Sequence, residues 1–248
     1  MRSVAGMRIV RGVLLPMLAL AALTAVSCVD DDNPAAPAPA TPDKVLRLDG
    51  DGDCLRVPIA NHTFNRFTIE AWVKVADYDL NVQYVSLYQN AYLSLWDVGD
   101  EQISTWASGL TPVDAGDEGT EPTISANAWH HFAFSYDGTN QYVLIDGEVA
   151  ITVATTGTLT HDADTYDSGL VIGARYSAVS QFVTGDIDEV RLWNVYRTPT
   201  QIKNNMSKVI SDQSGLVGYW NFDDGTGNDL TAYDADGTLV GDATFVNQ

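Results

Sequence analysis

The chain has 248 residues, with 13 basic against 33 acidic side chains and a net charge of −20 at pH 7. Such a field repels nucleic acid and anionic lipid, so DNA and RNA are excluded as partners. Only two cysteines are present, Cys28 and Cys54, too few for a disulfide framework once the first is accounted for below.

In chain order, the first element is a targeting segment. Arg2, Arg8 and Arg11 precede the apolar run 13–26, which is too short to span a bilayer and has the layout of a secretory signal. It closes on Ser27-Cys28, which resembles the cleavage box of bacterial lipoproteins, with Ala25 where that family usually has Leu. The resemblance implies a signal peptide over 1–27 and a lipidated Cys28. The alternative is ordinary signal cleavage nearby, with Cys28 incidental. Residues 28–43 carry Asp30-Asp31-Asp32 and then Pro34, Pro37, Pro39 and Pro42 among alanines, a tether leaning to polyproline II. Some fifteen residues of this kind reach about 45 Å at ~3.1 Å each. The acidic triplet resembles a surface-export signal of some bacterial lipoproteins, and otherwise reads as solvated linker. The expected location is the outer membrane, with the domain exposed at the cell surface. Loss of 1–27 removes three arginines and no acid, leaving 10 basic against 33 acidic residues, a net of −23.

Residues 44–248 are predicted to form one all-β domain. "LRLDGDGDCLRV" (46–57) places Asp49, Asp51 and Asp53 at alternate positions. Read as an EF-hand loop it fails, because Cys54 stands where Gly is required and Ala60 where Glu is required. It reads instead as a first strand with aspartates at its entrance. Cys54 is expected to be a small buried hydrophobe. In "RFTIEAWVKV" Phe67, Ile69, Ala71, Val73 and Val75 share one face, while Thr68, Glu70 and Lys74 take the other together with Trp72. The second face must therefore also be covered. The stretch 110–127 reads as a long surface loop. "HHFAFSYDGTNQYVLIDGEVAITV" alternates with period two and turns at Asp137-Gly138 and Asp146-Gly147, both expected as type I′ hairpins. Residues 161–169 read as a second loop. Thr198-Pro199 predicts an N-cap followed by proline at the first position of the one helix, near 199–210, with Ile202, Met206 and Val209-Ile210 as its buried stripe.

Five blocks, in order, resemble the LamG-like, concanavalin A-like lectin-glucanase jelly-roll family. They are "LRLDGDGDCLRVP", with Cys54 in place of the usual Tyr, then "FTIEAWVK" and "WHHFAFSYDGTNQYVLIDGE". "GDIDEVRLWNVYRTPTQI" and "GLVGYWNFDDGTG" complete the set. The resemblance implies a two-sheet antiparallel jelly-roll sandwich over 44–248. It assigns Trp72, Trp129, Trp193 and Trp220 to packing and His130-His131 to a structural pair.

The candidate sites follow from these elements. Adjacent histidines point to opposite faces of a strand and cannot both hold one ion; His62 and His161 stand alone in predicted loops. No zinc motif or nucleophile elbow occurs. The paired glutamates of jelly-roll glucanases are missing too: "DIDEV" lacks the leading Glu, and "DEGTE" is too irregular for a strand. No catalytic residues are assigned, and the chain is expected not to be an enzyme. Asp188 in "IDEVRLW" shares its predicted face with Val190 and Leu192, so it lies at or near the core and needs a partner. Two readings stand: hydrogen bonds from turn amides, or structural calcium. The family resemblance implies that calcium would join Asp188 to Asp49, Asp51 and their neighbourhood. For ligand binding the candidates are Tyr92, Trp96 and Trp106, with Tyr166 and Tyr176 beside the acidic loop and Tyr88 in the same cluster. Such rings form platforms for sugars, and they equally serve as sheet aromatics. The expected role is recognition of a glycan or polysaccharide at the cell envelope. The alternatives are an adhesion or scaffold domain for an extracellular protein, and an atypical glycoside hydrolase.

Overall fold

The computed structural model describes residues 44–59, 62–76, 82–87, 91–95, 103–115, 124–161, 169–175, 180–211 and 213–248. Cys28 and the segments 1–27 and 28–43 lie outside them. In chain order the first strands are β1 (Lys44–Asp49), β2 (Cys54–Val57), β3 (His62–Phe64), β4 (Phe67–Val75), β5 (Val82–Leu87) and β6 (Ala91–Leu95). There follow β7 (Ile103–Ala107), β8 (Leu110–Thr111), β9 (Asp114–Ala115), β10 (His130–Tyr136), β11 (Asn140–Ile145) and β12 (Glu148–Ala154). Next come β13 (Thr156–Gly157), β14 (Leu159–His161), β15 (Leu170–Ile172) and β16 (Thr184–Trp193). The helix α1 (Pro199–Asn205) precedes β17 (Leu216–Trp220), β18 (Thr238–Val240) and β19 (Thr244–Asn247).

Two antiparallel sheets make the predicted jelly-roll sandwich. The larger runs β12-β11-β10-β4-β16-β1-β19, with β17 also paired to β16, and the smaller runs β18-β2-β15-β5-β6-β7-β9. Period-two patterning places Phe67, Ile69, Ala71, Val73 and Val75 of β4 in the core, beside Phe132, Phe134 and Tyr136 of β10. Tyr84 of the smaller sheet stacks on Phe132 of the larger at 5.5 Å, which ties the two layers together. Residues 50–53 carry the chain from β1 in one sheet to β2 in the other, so Asp49 ends β1 while Asp51 and Asp53 lie in a sheet-to-sheet crossover. The crossover needs glycine: Gly50 has φ +89°, and a Cβ there would lie 2.1 Å from Thr184 Oγ1. Cys54 is fully buried against Val171 and Ala174, as expected for a small hydrophobe, and burial pushes its thiol pKa up.

The Asp146-Gly147 turn has positive φ at both residues (53° and 77°), the type I′ geometry expected. The other hairpin differs. Asp137 keeps ordinary backbone geometry and Gly138 alone has positive φ (98°), because the Asp137 carboxylate accepts from Thr139 N, Thr139 Oγ1 and Asn140 N. That places glycine at the first central position, as in a type II′ turn. These bonds outweigh the effect of burial and bring the Asp137 carboxyl down to about 2. Two regions predicted as loops also contain strands. Residues 110–115 contribute β8 and β9, and His62 and His161 are directly opposed in the β3–β14 ladder.

The second face of the larger sheet is covered by α1 and the segment that follows it. Thr198 caps the helix in a capping box with Gln201, and Pro199 opens it, as predicted. It stops at Asn205, short of 210, because side chains of the sheet take its terminal carbonyls. Trp72 Nε1 donates to Met206 O at 2.6 Å, Arg191 Nη1 to Asn205 O at 3.1 Å and Arg191 Nη2 to Lys208 O at 2.7 Å. Ile202, Met206 and Ile210 are buried, whereas Val209, predicted to join them, is 56% exposed beyond the helix end. The Arg191 guanidinium is itself buried. It pairs with Glu189, lies 3.8 Å from Glu70 and sits 5.0 Å over the Tyr219 ring. Burial pushes Glu70 up, but His131, Arg191 and the Trp193 N–H outweigh it and hold the carboxyl below its usual range. Among the described residues no helix is long and apolar enough to cross a membrane.

Removing one partner of a buried ion pair leaves the other charged and uncompensated. Arg191→Met is therefore expected to cost about 3–5 kcal/mol in a urea unfolding curve, whereas Val209→Ala, at an exposed position, should leave the midpoint unchanged.

Candidate functional site

The most exposed aromatic among the described residues lies outside the predicted set. Tyr233 is 54% exposed on the loop between β17 and β18, and one carboxylate shapes that loop. Asp229, itself buried, accepts Tyr219 N and Thr231 N on Oδ1, and Thr231 Oγ1 and Ala235 N on Oδ2, at 2.8–3.1 Å. Trp220 Nε1 donates to Ala235 O at 3.0 Å, fixing the far side of the turn to the core. Tyr233 is thus presented from a braced loop, its ring edge to face with His62 of β3 at 5.9 Å, and His62 stacks in turn on Phe64 at 5.6 Å.

A cleft lies on each side of Tyr233. The wider, about 540 Å³, is lined by Gln213, Ser214, Gly215, Leu216 and Ala232 as well as Tyr233. The narrower, about 100 Å³, runs between Pro58, Ile59, His62, Val217 and Asp234. An exposed ring flanked by an amide, a hydroxyl and a carboxylate can stack on an apolar face and bind hydroxyls at its rim. Sequence patterning gave Tyr233 no role, because "TAYDADG" lacks period-two alternation and reads only as a polar turn. The signal that could have singled it out was Asp229-x-Thr231, an Asx-type brace two residues upstream.

The predicted ligand-binding residues are placed as follows. Trp106 lies on β7, half-buried, on the face opposite Ile103 and Ala107, which enter the core. Tyr92 on β6 is its register partner. Tyr88, Trp96, Tyr166 and Tyr176 lie outside the described residues. Trp72, Trp129, Trp193 and Trp220 are buried and serve packing, as expected. His131 faces Trp72 and Glu70 on the covered side of the larger sheet, with Nε2 3.5 Å from Glu70, whereas His130 points the other way.

The acids expected to share calcium do not meet. Thr184 of β16 is the residue opposite Asp49, and Asp188 lies four residues further on, about 13 Å away at ~3.3 Å per residue. A bulge at 188–191, with Glu189 at φ 52°, also reverses the predicted facing. Asp188 pairs with Trp72 on the outer side, while Val190 and Leu192 enter the core. Asp49 instead approaches Asp53 and Asp242, whose carboxylate oxygens lie within 4.8 Å of one another. Asp53 there accepts Asp49 N and Asp242 N, and Asp51 N donates back to Asp49. Asp188 sits where β16 changes partner, from β1 (through Ile187) to β17 (from Val190). Its Oδ1 accepts Glu189 N at 2.8 Å, and its fully buried Oδ2 has no hydrogen-bond partner among the described residues. Burial first, then the charges of Glu189 and Asp223, push its pKa up to about 9. Of the carboxylates nearest in charge to Asp188, Glu189 is taken up by Arg191 and Tyr219. Among the described residues the acids that converge to ligand spacing are Asp49, Asp53 and Asp242, and neither Asp188 nor Asp51 is among them.

A family model described as the concanavalin A-like lectin/glucanases superfamily matches residues 49–203. The chain belongs to that superfamily. Among solved structures, this superfamily member is similar to a candidate carbohydrate-binding protein from Bacteroides ovatus, with 23% identity and a TM-score of 0.68. That match covers 84% of this chain and 60% of the other, so the chain spans about 60% of that protein's length. It is also similar to a heptameric SAP-like pentraxin from Limulus polyphemus, with 11% identity and a TM-score of 0.51 over 83% of this chain and 94% of that one. No curated protein sequence matches it.

Asp188 generates a pH dependence whose sign is fixed. Its folded pKa is above the ordinary 3.8, so between about pH 4 and 9 the folded state holds a proton that the unfolded chain has lost. The contribution of this group is full below pH ~4 and is lost as pH rises toward about 9, by up to about 1.4 kcal/mol per pH unit. Melting in chelator across that window should show this decline, and Asp188→Asn should flatten it. A calcium ion held by Asp188 would raise the midpoint at neutral pH in the native chain alone; an equal rise in the variant, or none in either, would remove Asp188 from any cation site.

Proposed function

We propose that this domain binds a glycan across the clefts beside Tyr233, recognising the sugar and not cleaving its glycosidic bonds. The observation that carries this reading is Tyr233 itself, a half-exposed ring between a polar-lined cleft and a narrower, mostly apolar one, on a loop held by four hydrogen bonds to Asp229. Ordering that loop in advance lowers the entropy cost of binding, which is where a shallow site gains affinity. Membership of a superfamily that includes lectins supports the reading, as does the missing pair of glucanase glutamates. The N-terminal segments complete the proposal. Lipid on Cys28 would hold the domain at the outer membrane, and the proline-alanine tether 28–43 would carry it clear of the surface into the extracellular medium.

The test uses the full chain in its host membrane together with purified residues 44–248 on a glycan array. Tyr233→Ala should weaken retention on the recognised polysaccharide by at least about tenfold, the loss expected for a central aromatic anchor, with no change in melting. Cys28→Ala should move the full chain from the membrane to the soluble fraction. Unchanged glycan retention in the Tyr233 variant would relocate the site. Absence of any glycan ligand, combined with capture of one defined extracellular protein, would favour the adhesion reading.

A further inference from the structure

Away from Tyr233, the chain brings a serine, a histidine and an aspartate into line on the larger sheet. Ser125 Oγ lies 2.9 Å from His130 Nε2, and His130 Nδ1 lies 2.9 Å from Asp146 Oδ2. The other carboxylate oxygen, Asp146 Oδ1, accepts His131 N at 2.9 Å, and Asp146 N donates to His131 O at 2.8 Å. Asp146 is thereby fixed at the tip of the β11–β12 hairpin with one oxygen committed to the backbone and one to the imidazole. An ionised carboxylate only accepts, so His130 carries its hydrogen on Nδ1 and offers the Nε2 lone pair to the Ser125 hydroxyl. This is the order of contacts by which a serine is activated, and it is recognised by geometry, not by sequence position.

Burial is graded in the sense such a relay needs. The side chains of His130 and Asp146 are 1% and 11% exposed, while Ser125 is exposed, as are Ala126 and Asn127 after it. The serine is nonetheless held in place. Ile124 before it is buried, and Asn127 two residues later donates its backbone N–H to Val75 O at 2.8 Å. The nucleophile is therefore accessible to a bulky reactant and the base is shielded from water.

We infer that Ser125, His130 and Asp146 form a serine-nucleophile site that hydrolyses acyl esters. Ser125 Oγ attacks the ester carbonyl carbon as His130 Nε2 takes its proton. The bond from that carbon to the leaving oxygen breaks, and the leaving alcohol receives the proton from Nε2. Water then attacks the acyl-Ser125 ester, passing its proton to Nε2, which returns it to Ser125 Oγ as the carboxylic acid departs. The sum is ester plus water giving acid plus alcohol. Asp146 orients the ring and stabilises its charged form.

The probes are p-nitrophenyl acetate and an alkyl fluorophosphonate, applied to the full chain and to Ser125→Ala and His130→Gln, each checked for a native melting curve. The native chain should release nitrophenolate beyond one equivalent and carry the phosphonyl group on Ser125 by peptide mass spectrometry. Ser125→Ala should abolish both, and His130→Gln should slow labelling by at least about 100-fold, the contribution of a positioned general base. No adduct on Ser125, nitrophenolate release equal to that of Ser125→Ala, or labelling of His130→Gln at the native rate would each overturn the inference and leave Ser125 as a cap on a structural histidine. None of these readouts depends on glycan binding.

Discussion

The buried guanidinium of Arg191 is the point on which the second face of the larger sheet depends. A β-sandwich core needs only the inner faces of its two sheets, yet Trp72, Glu70 and Arg191 all sit on the outer side of β4 and β16. Leaving that side to water would waste Trp72, and burying it brings the carboxylates of Glu70, Asp188 and Glu189 out of solvent. Arg191 answers both demands with one planar donor set, pairing with Glu189, approaching Glu70 and capping the carbonyls at the end of α1. The helix is seven residues long and would be marginal alone, so its place is set by these donors and by Ile202 more than by its own propensity.

That arrangement also explains the irregularity of β16. Keeping Arg191 outward beside Glu70 while Ile187, Val190 and Leu192 all enter the core requires one extra residue, which the bulge supplies through Glu189. The cost appears one residue earlier, at Asp188, left at the seam between β1 and β17 with an oxygen unserved. A structure that concentrates strain and buried charge in one strand leaves other parts free to be simple. The Tyr233 loop has no regular secondary structure, and a single aspartate is enough to order it.

Much of the fold was legible in the sequence because alternation, Asp-Gly turns and the Thr-Pro cap are local signals with direct physical causes. Phe67 to Val75, the Asp146-Gly147 turn and the start of α1 were read correctly for that reason. What could not be read was anything decided by a bulge or by a distant partner. Two-residue periodicity carried through 188–192 places Asp188 with Val190, and only the positive φ of Glu189 undoes it. The end of α1 is set by Arg191 and Trp72, far along the chain, and local propensity runs on to 210. The same limit applies to the sites. Ser125 and Asp146 approach His130 through a loop and a hairpin whose relative placement no spacing rule contains, and Tyr233 is made prominent by Asp229 and not by its own neighbours in sequence.

The pairing of β1 has a bearing on how the molecule comes to be folded. The first strand of the domain lies inside the larger sheet, with Lys44 to Arg47 against β19 and Leu46 to Asp49 against β16. Both partners come from the last third of the chain, β16 about sixty residues before its end and β19 at the end itself. A growing polypeptide therefore carries the β19-facing edge of β1 open until almost every residue has been synthesised, and closure of that edge is among the latest events of folding. The contact order that makes this slow also makes it decisive: once Asn247 reaches Lys44, the two ends of the domain lie paired at one edge of the sheet, with β19 as the outer strand and β1 held on both sides.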